Sequence, residues 1–575
     1  MLYRSLFAAA AVASSALAEH VPAGRRGLLK RQVPADPTGV QEITSPGGAK
    51  ITYKQPGKQG VCETAEGVDD YAGYISLNEK YNVFYWFFEA RENPTEKPLT
   101  LWLNGGPGSD SLIGLFQEHG PCNITEDLKT QWNPYSWNEE SNMLYLSQPV
   151  GVGFSYETTQ VTEDGRYSIV DPDTTNTTYA AAVGAWELIQ TFLELSEKLD
   201  PDLSNRTFNL WTESYGGHYG PTFYRYFYEQ SQAIKDGTVD GYPLEMDTLG
   251  IINGIIDEGL YILSFDFNTH SQIQSGIQAP YYPEFAVNNT YGIKAVSDTI
   301  YSEMKDAYYR EGGCADQVAA CAAADRETNE GTLPSWQICR DATDFCRSEV
   351  EEPYYIYGGR GVYDIRHPYD DPTPPDYFVD FLNLASTQEA LGVNINYTTT
   401  NSRYVNAGFQ STGDFVFPDF KEDLEWILAQ NVRVALQYGD ADYICNWLGG
   451  EAVSLAIEYE NSADFRAAGY APLLVDGTEY GVVRQYGNFS FTRLYDAGHE
   501  TPYYQPVATL EFFRRVLNDL VLADGKSRIT DDYQSEGPAN ATHTQPYPPL
   551  PDETGAAGRR KRRGTVRKEG SLFLS

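Results

Sequence analysis

The chain has 575 residues, 41% of them hydrophobic and 14% aromatic, a globular composition long enough for one large domain with insertions or for two to three ordinary domains. Its formal net charge is −38, and because residues 1–31 and 558–575 are basic, the body between them carries 30 basic and 78 acidic side chains, a net charge of −48. Such a surface repels nucleic acid and loses much of its self-repulsion in mild acid, so the composition excludes nucleic-acid binding by the body and favours a protein that works in acid.

The first predicted element is a secretory signal peptide over residues 1–18. One early arginine, an apolar run over residues 6–13 and a small-residue ending have this order in the sequence, and the run is too short to span a membrane. Two dibasic pairs in residues 19–31 suggest a propeptide, although an unstructured basic tail would have the same composition. No later run of about 18 apolar residues occurs, so no membrane span or anchor is predicted. We therefore expect a secreted, extracellular protein, in preference to a vacuolar one.

Residues 40–258 predict the first part of an α/β core. Its predicted strands lie at residues 71–77, 81–88, 99–103, 143–146, 207–211 and 249–256. A turn at Asn78 joins the first two as an antiparallel pair, and amphipathic helices are predicted on either side of the strand at 207–211. Strands and helices that alternate in this way indicate a mixed, mainly parallel central sheet with helices on both faces.

Residues 259–375 interrupt this pattern. They are rich in Tyr and Cys and end in a Pro-rich run, so we expect an inserted subdomain that lies over the sheet as a lid or pocket wall, the alternative being a surface domain without such a role. The core resumes over 376–525, with strands predicted at 432–438 and from Phe489, and with a helix from Pro506 to Leu517. Residues 526–575 are polar and Pro-rich and then basic, a composition that predicts disorder.

The cysteines and the glycosylation sequons fit passage through the secretory pathway. In an oxidising compartment six of the seven cysteines can pair, and Cys445 is the one left over. The pairs we expect are Cys314–Cys346 nested around Cys321–Cys339, and Cys62–Cys122. A zinc cluster is the alternative, but the spacings contain no paired Cys-x-x-Cys. Seven sequons are expected on the surface: Asn123, Asn176, Asn205, Asn288, Asn396, Asn488 and Asn540.

The stretch Trp211-Thr212-Glu213-Ser214-Tyr215-Gly216-Gly217-His218 follows a predicted buried strand and opens a helix. A serine on such a sharp turn holds its hydroxyl above the sheet edge, where it can attack a carbonyl. The usual pattern is Gly-x-Ser-x-Gly, and since Thr212 stands at its first position, these residues alone are equally consistent with an ordinary turn. The Gly-Gly loop after the strand at 99–103 exposes backbone N–H groups that could stabilise an oxyanion, or is only a turn.

A serine nucleophile needs a base, and His499 is the one that remains after elimination. The others are His20 and His543 in the termini, His270 and His367 in the insertion, His119 on the helix after the Gly loop, and His218, which is expected to pack on the serine's own helix. The orienting acid should end an intervening strand, where Asp440 and Asp442 both qualify. The order Ser, Asp, His is that of α/β-hydrolases. No His-Glu-x-x-His occurs, which disfavours a metallohydrolase, and no metal or cofactor is expected.

Five segments carry a more specific pattern: LWLNGGPG at 101–108, QPVGVGFSY at 148–156, ESYGG at 213–217, GDADYICN at 439–446 and GH at 498–499. In this order, and spanning nearly the whole mature chain, they resemble serine carboxypeptidases, in particular secreted fungal ones. The resemblance implies an α/β-hydrolase fold and a triad of Ser214, His499 and Asp442 rather than Asp440. It also implies that the backbone N–H groups of Gly106 and Tyr215 form the oxyanion hole.

The resemblance further implies a substrate-binding set: Trp102, Asn104, Gly105, Glu118 and Glu213 around the substrate's terminal carboxylate, with Cys445 as a free thiol and Glu500 nearby. Two ionised glutamates would repel an anionic ligand, so burial and mutual repulsion should keep them protonated. Three departures stand out. Ser109 replaces a family cysteine that ties the Gly loop to the lid, Thr212 replaces a glycine, and Glu500 replaces a methionine that lines the pocket of the departing residue, which suggests better acceptance of C-terminal Lys or Arg.

We therefore expect a secreted, acid-acting serine carboxypeptidase that releases C-terminal residues from peptides and proteins through an acyl-enzyme at Ser214. Its partners would be peptide and protein C-termini, without nucleic acid or a membrane anchor, and the sequence does not indicate an oligomeric state. One alternative is an acyltransferase or esterase on the same fold, which would share the triad. The other is a non-enzymatic secreted glycoprotein, which would be expected to lack a catalytic residue, and none is missing.

Overall fold

The computed structural model describes residues 34–44, 48–76, 80–158, 161–162, 167–199, 205–257, 260–261, 274–328, 333–547 and 550. The expected signal peptide and propeptide, the turn at Asn78 and the basic tail from residue 551 lie outside the described residues, as does residue 259, the expected first residue of the insertion. The described residues up to Tyr547 belong to one structural unit.

The strands are β1 Gln41–Thr44, β2 Lys50–Tyr53, β3 Asp70–Ser76, β4 Tyr81–Phe88, β5 Leu99–Leu103, β6 Cys122–Ile124, β7 Thr130–Trp132, β8 Asn142–Leu146, β9 Tyr156–Glu157, β10 Thr207–Glu213, β11 Glu245–Ile252, β12 Leu260–Tyr261, β13 Gln274–Gly276, β14 Arg433–Gly439, β15 Ala471–Val475, β16 Thr478–Tyr486 and β17 Phe489–Leu494. The α-helices are α1 Thr178–Leu199, α2 Gly216–Lys235, α3 Tyr281–Val287, α4 Asp298–Tyr309, α5 Cys314–Thr328, α6 Leu333–Cys346, α7 Pro353–Tyr357, α8 Tyr377–Leu382, α9 Ala385–Leu391, α10 Ala407–Thr412, α11 Asp419–Ala429, α12 Trp447–Ala456, α13 Ser462–Ala467, α14 Thr501–Tyr504 and α15 Pro506–Leu517. Among the described residues, none of these helices combines the length and the apolar composition that crossing a bilayer requires.

The central sheet has 13 strands within the described residues, in the order β1-β2-β3-β4-β8-β5-β10-β11-β14-β17-β16-β15, with β9 on β4. The run from β8 to β17 is parallel, and the strands on either side of it are antiparallel. Every residue of β5, β8 and β14 is buried, as expected for parallel strands covered on both faces. The prediction of a mixed, mainly parallel sheet is confirmed.

Alternate residues of the strands pack into two hydrophobic clusters on opposite faces of the sheet. On β5 and β10, for example, Leu101 and Leu210 join the cluster that α1 and α2 cover, whereas Trp102 and Trp211 join the cluster that contains Phe512 of α15. Helices therefore cover both faces, and β10, the strand that leads to Ser214, lies in the middle of the sheet between β5 and β11.

Strand β11 ends four residues before the predicted boundary, at Ile252 rather than residue 256. Asn253 turns the chain with a φ of +43°, and its N–H bonds to the carbonyl of Gln437 on β14. Ile255 then donates its N–H to the carbonyl of Ser214 at 2.9 Å. The apolar run at residues 249–256 therefore belongs only in part to the sheet, because its last residues contact the serine turn.

Residues 260–357 contain the β12–β13 pair and helices α3 to α7. The described cysteines form the three expected disulfides: Cys314–Cys346 and Cys321–Cys339 both join α5 to α6, and Cys62–Cys122 lies outside this region. Cys445 takes part in none of these disulfides and is buried. The local cross-links hold two helices together in a part of the chain that the central sheet does not include.

The disorder expected beyond residue 525 is wrong for residues 526–547, which we call the C-terminal strap. Ser535 donates its N–H to the carbonyl of Gln485 at 2.9 Å, and Tyr470 donates its N–H to Pro538 at 2.8 Å. Farther along, the carbonyl of Ala541 accepts from the buried Arg493 guanidinium at 2.7 Å. The composition of the strap is polar, but its order depends on backbone groups that bond to the core, and composition does not report these.

The sequons differ in exposure. Asn123, Asn288 and Asn540 are exposed, and Asn176, Asn205 and Asn488 are half-buried. Asn396 is only 4% exposed, and its Oδ1 accepts a hydrogen bond from the Gln388 amide at 3.1 Å. A side chain buried in this way has no room for a glycan, which corrects the expectation that all seven sequons lie on the surface.

Candidate active site

Ser214 lies on the turn between β10 and α2 with a φ of +64°, a left-handed conformation that non-glycine residues seldom adopt. The turn is tight, because a Cβ atom on Gly217 would lie 2.1 Å from the carbonyl oxygen of Ile255. Thr212, which takes the place of the usual first glycine, donates its hydroxyl to the carbonyl of Gly216 at 2.8 Å. The threonine therefore satisfies a carbonyl of the turn, and Ser214 is half-buried although both of its neighbours in the chain are buried.

His499 and Asp442 lie together at the carboxyl ends of β17 and β14. The imidazole Nδ1 is 2.7 Å from Asp442 Oδ2, and the Asn253 amide donates to the same oxygen at 2.8 Å. Asp440, the other candidate acid, instead accepts a hydrogen bond from the Tyr291 hydroxyl at 2.6 Å. The sequence pattern alone did not distinguish Asp440 from Asp442 as the acid, and in the structure it is Asp442 that contacts the imidazole.

The other ring nitrogen of His499 faces the serine turn. His499 Nε2 is 3.9 Å from Oε1 of Glu213, the residue that precedes Ser214. The His499 backbone N–H bonds to the carbonyl of Tyr363 at 2.8 Å, and the Tyr363 ring lies 5.1 Å from the imidazole. The orientation of the imidazole is thus restrained by Asp442 on one side and by the segment around Tyr363 on the other.

The backbone N–H groups of Gly106 and Tyr215 lie beside this turn. A Cβ atom on Gly105 would lie 2.3 Å from the backbone nitrogen of Tyr215, so only glycine allows the two loops to approach this closely. Gly106 has a φ of +110°. Across the described part of the chain, neither Gly106 nor Tyr215 donates its N–H to a backbone carbonyl. Gly105 thus brings the Gly loop against the serine turn, and the N–H groups of Gly106 and Tyr215 are not used by backbone carbonyls of the described residues.

Backbone hydrogen bonds hold the loop at Ser109, where the resemblance led us to look for a missing disulfide. The N–H of Asp110 bonds to the carbonyl of Thr399, and the N–H of Asn401 bonds to the carbonyl of Gly108, each at 2.9 Å. The Gly loop is therefore tied to residues 399–401 without a covalent bond.

Asn104 stands between two buried glutamates. Its Oδ1 accepts from the Trp102 indole at 2.8 Å and from the Gly114 N–H at 2.9 Å, which turns its Nδ2 towards the carboxyl groups. That nitrogen is 3.3 Å from Glu118 Oε1 and 3.0 Å from Glu213 Oε1. The second oxygen of each glutamate is buried without a hydrogen-bond partner among the described residues. Such unsatisfied groups indicate a place for a polar ligand.

Burial raises the pKa of both carboxyl groups. Glu118 reaches a pKa of about 7, mainly because it is desolvated. Burial also raises the pKa of Glu213 well above its usual value, and the charges of Glu118 and Glu500 raise it further. The pKa of Glu500 is raised in the same way, first by burial and then by Glu118. Three carboxyl groups thus influence one another here, and in mild acid they are predominantly protonated.

The Cys445 thiol belongs to the same neighbourhood. Its side chain is 1% exposed, and its sulfur, a carboxylate oxygen of Asp442 and a ring nitrogen of His499 all lie within 4.8 Å of one another.

The described histidines outside the site have other contacts: His119 with Tyr145, His218 with the carbonyl of Ile255, His367 with Asp364 and Asp371, and His543 with Tyr495. His20 and His270 lie outside the described residues.

The sequence analysis missed Asn253, which bonds to Asp442, and Asp414, which accepts a hydrogen bond from Tyr215. The polar Asn253 interrupts the apolar run predicted as the strand at 249–256, and this interruption could have indicated it, because neighbouring parallel strands end at the same edge of a sheet. Asp414 lies 199 residues from its partner and has no such local signal.

Comparisons with known proteins match this chain to one family. The family model described as serine carboxypeptidase matches residues 56–519. "Carboxypeptidase S1 homolog B" of Arthroderma otae is 40% identical over 600 residues, which cover 94% of this chain and 87% of the relative. "Carboxypeptidase S1" of Penicillium janthinellum is 37% identical over 459 residues, 80% of this chain and 97% of the relative. A solved structure of a prohormone-processing carboxypeptidase from Saccharomyces cerevisiae superposes with a TM-score of 0.60 at 21% identity, covering 83% of this chain and 98% of the other.

Proposed function

The chain belongs to the serine carboxypeptidase family, with an α/β-hydrolase fold and peptides as substrates, and we propose that it is a secreted enzyme that removes C-terminal residues in acid through an acyl-enzyme at Ser214. The single observation that carries the proposal is the pair of buried glutamates, each with an unsatisfied oxygen, next to the imidazole that Asp442 orients. An esterase or acyltransferase needs the triad and an oxyanion hole, but no group that binds a terminal carboxylate.

In the proposed mechanism His499 takes the Ser214 proton as the hydroxyl attacks the scissile carbonyl, and then gives it to the departing amine. Asp442 holds the imidazole and stabilises its positive charge, helped by the Asn253 amide on the same carboxylate oxygen. The N–H groups of Gly106 and Tyr215 donate to the oxyanion of each tetrahedral intermediate. Water then attacks the acyl-enzyme, with His499 acting once more as the base.

The proposed exopeptidase specificity comes from the carboxyl cluster. Protonated Glu118 and Glu213, which also share a hydrogen bond with each other, can donate to the substrate's terminal carboxylate, while Asn104, held by Trp102, fixes their orientation. Gly105 supports this arrangement by keeping the Asn104 loop against the serine turn. Because Glu213 precedes Ser214 in the chain, a carboxylate bound there places the last peptide bond of the substrate near the nucleophile. Ionised glutamates would repel the same ligand, which accounts for action in acid.

We propose that Glu500 adds selectivity for the departing residue. Its carboxyl group lies within electrostatic reach of Glu118 and Glu213, and its Oε2 is buried without a partner among the described residues. A C-terminal Lys or Arg would place its cation near this group. Because the pKa of Glu500 is raised, any preference for basic residues should be weak in acid and should grow as the pH rises and Glu500 ionises.

Secretion is proposed from the N-terminal pattern of the sequence, and the three disulfides support it because they form in oxidising compartments. Free peptide and protein C-termini are the proposed partners.

The test compares blocked dipeptides that end in a free carboxylate with the corresponding C-terminal amides, from pH 4 to pH 8, for the wild type and for Ser214→Ala. We expect release of the C-terminal amino acid from the free acid, fastest in acid, and a loss of several powers of ten in Ser214→Ala. Equal or faster hydrolysis of the amide would contradict the assignment of the glutamate pair. Hydrolysis of simple esters alone would favour the esterase alternative.

A further inference from the structure

Tyr215 follows the serine, and its side chain is fixed along its whole length. The ring stacks on His218 with a centroid distance of 4.2 Å and an interplanar angle of 15°, and it packs against Phe415 at 4.7 Å. Its hydroxyl, at the far end, donates to Asp414 Oδ2. Tyr215 is fully buried, so this side chain does not form part of the exposed substrate cleft. Its backbone N–H is one of the two donors next to Ser214.

Asp414 is a buried carboxylate with several donors on it. Thr178, the first residue of α1, donates its N–H to Asp414 Oδ1 at 2.8 Å and its hydroxyl to Oδ2 at 2.5 Å. The Tyr215 hydroxyl shares Oδ2, and the side chain is 1% exposed. Hydrogen bonds to a buried charged group are stronger than neutral ones, so this contact is a firm anchor for the phenol.

The position of Asp414 is fixed in turn by the cross-linked helices. Gly413, directly before it, has a φ of +78°, and a Cβ atom there would lie 2.3 Å from the backbone carbon of Cys339 on α6. Cys339 is bonded to Cys321 on α5, whose sulfur is 3.7 Å from the carbonyl oxygen of Val416. The disulfide-bonded pair of helices therefore packs on the short segment that carries Asp414.

We propose that Asp414 is a positioning residue for catalysis: through the Tyr215 hydroxyl it fixes the rotation of Tyr215 and hence the direction in which the Tyr215 N–H points at the oxyanion. This rests on the proposed function. The turn at Ser214 has only one residue between the nucleophile and the first residue of α2, so the direction of that N–H is set by how Tyr215 is held. Tyr219 and Phe409 also contact the ring edge-on, at centroid distances of 5.3 and 5.9 Å, and the bond to Asp414 fixes the hydroxyl end.

The test uses Tyr215→Phe, which removes only the hydroxyl, and Asp414→Asn, which preserves size and removes the charge. Removing a whole oxyanion donor lowers kcat about 100- to 1000-fold, so a misdirected donor should lower it about 10- to 100-fold. We expect KM for a free-acid dipeptide to change less than about twofold. A double-mutant cycle should be non-additive, with the double variant no slower than the slower single variant, because both changes break the same contact.

A peptide aldehyde separates positioning from general damage. Its adduct with Ser214 places an oxygen in the oxyanion hole, so its Ki should rise by about the factor that kcat/KM falls, while the Ki of the free product amino acid should not change. The matched control is Tyr224→Phe, which removes a buried hydroxyl from α2, the helix that follows Tyr215, and should leave kcat within about twofold.

Unchanged kcat in Tyr215→Phe would overturn the proposal, as would losses that multiply in the double variant. A proportional loss of product binding would also overturn it, because that indicates distortion of the whole site. If Asp414→Asn does not fold, the kcat of Tyr215→Phe and the Ki of the aldehyde for that variant still test the proposal. Failure of the proposed function is a separate result: a wild type that releases no C-terminal residue, or an active Ser214→Ala.

Discussion

At the scale of single residues, the glutamate pair determines how activity should depend on pH. Glu118 has a pKa of about 7, and only its protonated form can donate to a substrate carboxylate. The protonated form of Glu118 is therefore fully populated well below pH 7, and when one required group ionises, kcat/KM falls about tenfold for each pH unit above its pKa. The acidic optimum that we propose would then have a local cause within the site.

We expect Glu118→Gln to flatten the alkaline side of the pH profile. Glutamine cannot ionise but can still donate through its amide, so the ratio of kcat/KM at pH 8 to that at pH 5 should rise by about tenfold relative to the wild type. The profile is measured with a free-acid dipeptide. Glu303→Gln, an exposed residue on α4, is the control and should leave the profile unchanged. An unaltered alkaline limb in Glu118→Gln would assign that limb to another group.

Glu500→Met tests the selectivity proposed for the departing residue. In the wild type, the ratio of kcat/KM for C-terminal Lys to that for C-terminal Leu should rise with pH as Glu500 ionises, because the ionised carboxylate attracts the cation. Glu500→Met should remove this pH dependence and lower the ratio at pH 8 by about tenfold. The same ratio in both forms at every pH would show that Glu500 does not contact the departing side chain.

The Cys445 thiol offers a third residue-level prediction. Its sulfur lies within 4.8 Å of a carboxylate oxygen of Asp442 and of a ring nitrogen of His499, so a mercurial bound to the sulfur would occupy space beside the imidazole. We expect an organomercurial to abolish wild-type activity at one equivalent and to leave Cys445→Ser active. Because the thiol is buried, the reaction should be slow and should be slowed further by a bound product. Full activity after titration of the thiol would contradict this placement.

At the scale of elements, the sequence predicted the parts of the fold that depend on local pattern. Strands β5, β8, β10 and β14 were recognised because their apolar runs are short and end at turn residues. The end of β11 was not recognised, because the turn at Asn253 is stabilised by contacts with β14 and with the serine turn, which are distant in the sequence. The catalytic residues were placed by motif and by order along the chain, whereas Asp414 was missed, since its role arises from a contact with a distant part of the chain.

The strap was missed because its order comes from partners on the core, and removing it should therefore destabilise the core. Its carbonyls accept from Arg493 and Arg484, both buried, and leaving such donors unsatisfied costs about 1–3 kcal/mol each. We expect a chain that ends at residue 525 to melt about 5 °C or more below the wild type by calorimetry. A chain that ends at Tyr547 keeps the strap and should melt with the wild type. Equal melting of all three would show that the strap contributes nothing to stability.

At the scale of the whole molecule, buried carboxyl groups should make the fold most stable in mild acid. Asp70 and Asp110 each have a pKa of about 7, mainly because they are buried. In the unfolded chain their pKa is about 4, so each contributes stability that is fully present below about pH 4 and is lost as the pH rises to about 7. The difference of about three pKa units corresponds to roughly 4 kcal/mol for each group. Carboxylates with lowered pKa values, such as Glu511 beside Arg514 and Arg515, work in the opposite direction and lose their contribution as the pH falls.

Asp110→Asn tests this account, because its hydroxyl neighbours Ser147 and Tyr397 can rotate to bond with an amide. The wild-type melting temperature should fall between pH 5 and pH 8. Over this range Asp110 is ionised in the unfolded chain, whereas in the folded chain its ionisation is opposed by burial. In Asp110→Asn this fall should be smaller by several degrees, and at pH 5, where the wild-type carboxyl is already neutral, the two proteins should differ little. Asp240→Asn, at an exposed position, should follow the wild type at every pH. Parallel curves for wild type and Asp110→Asn would mean that Asp110 titrates no differently in the folded and unfolded chains, and the acid preference of the fold would then have to come from other groups.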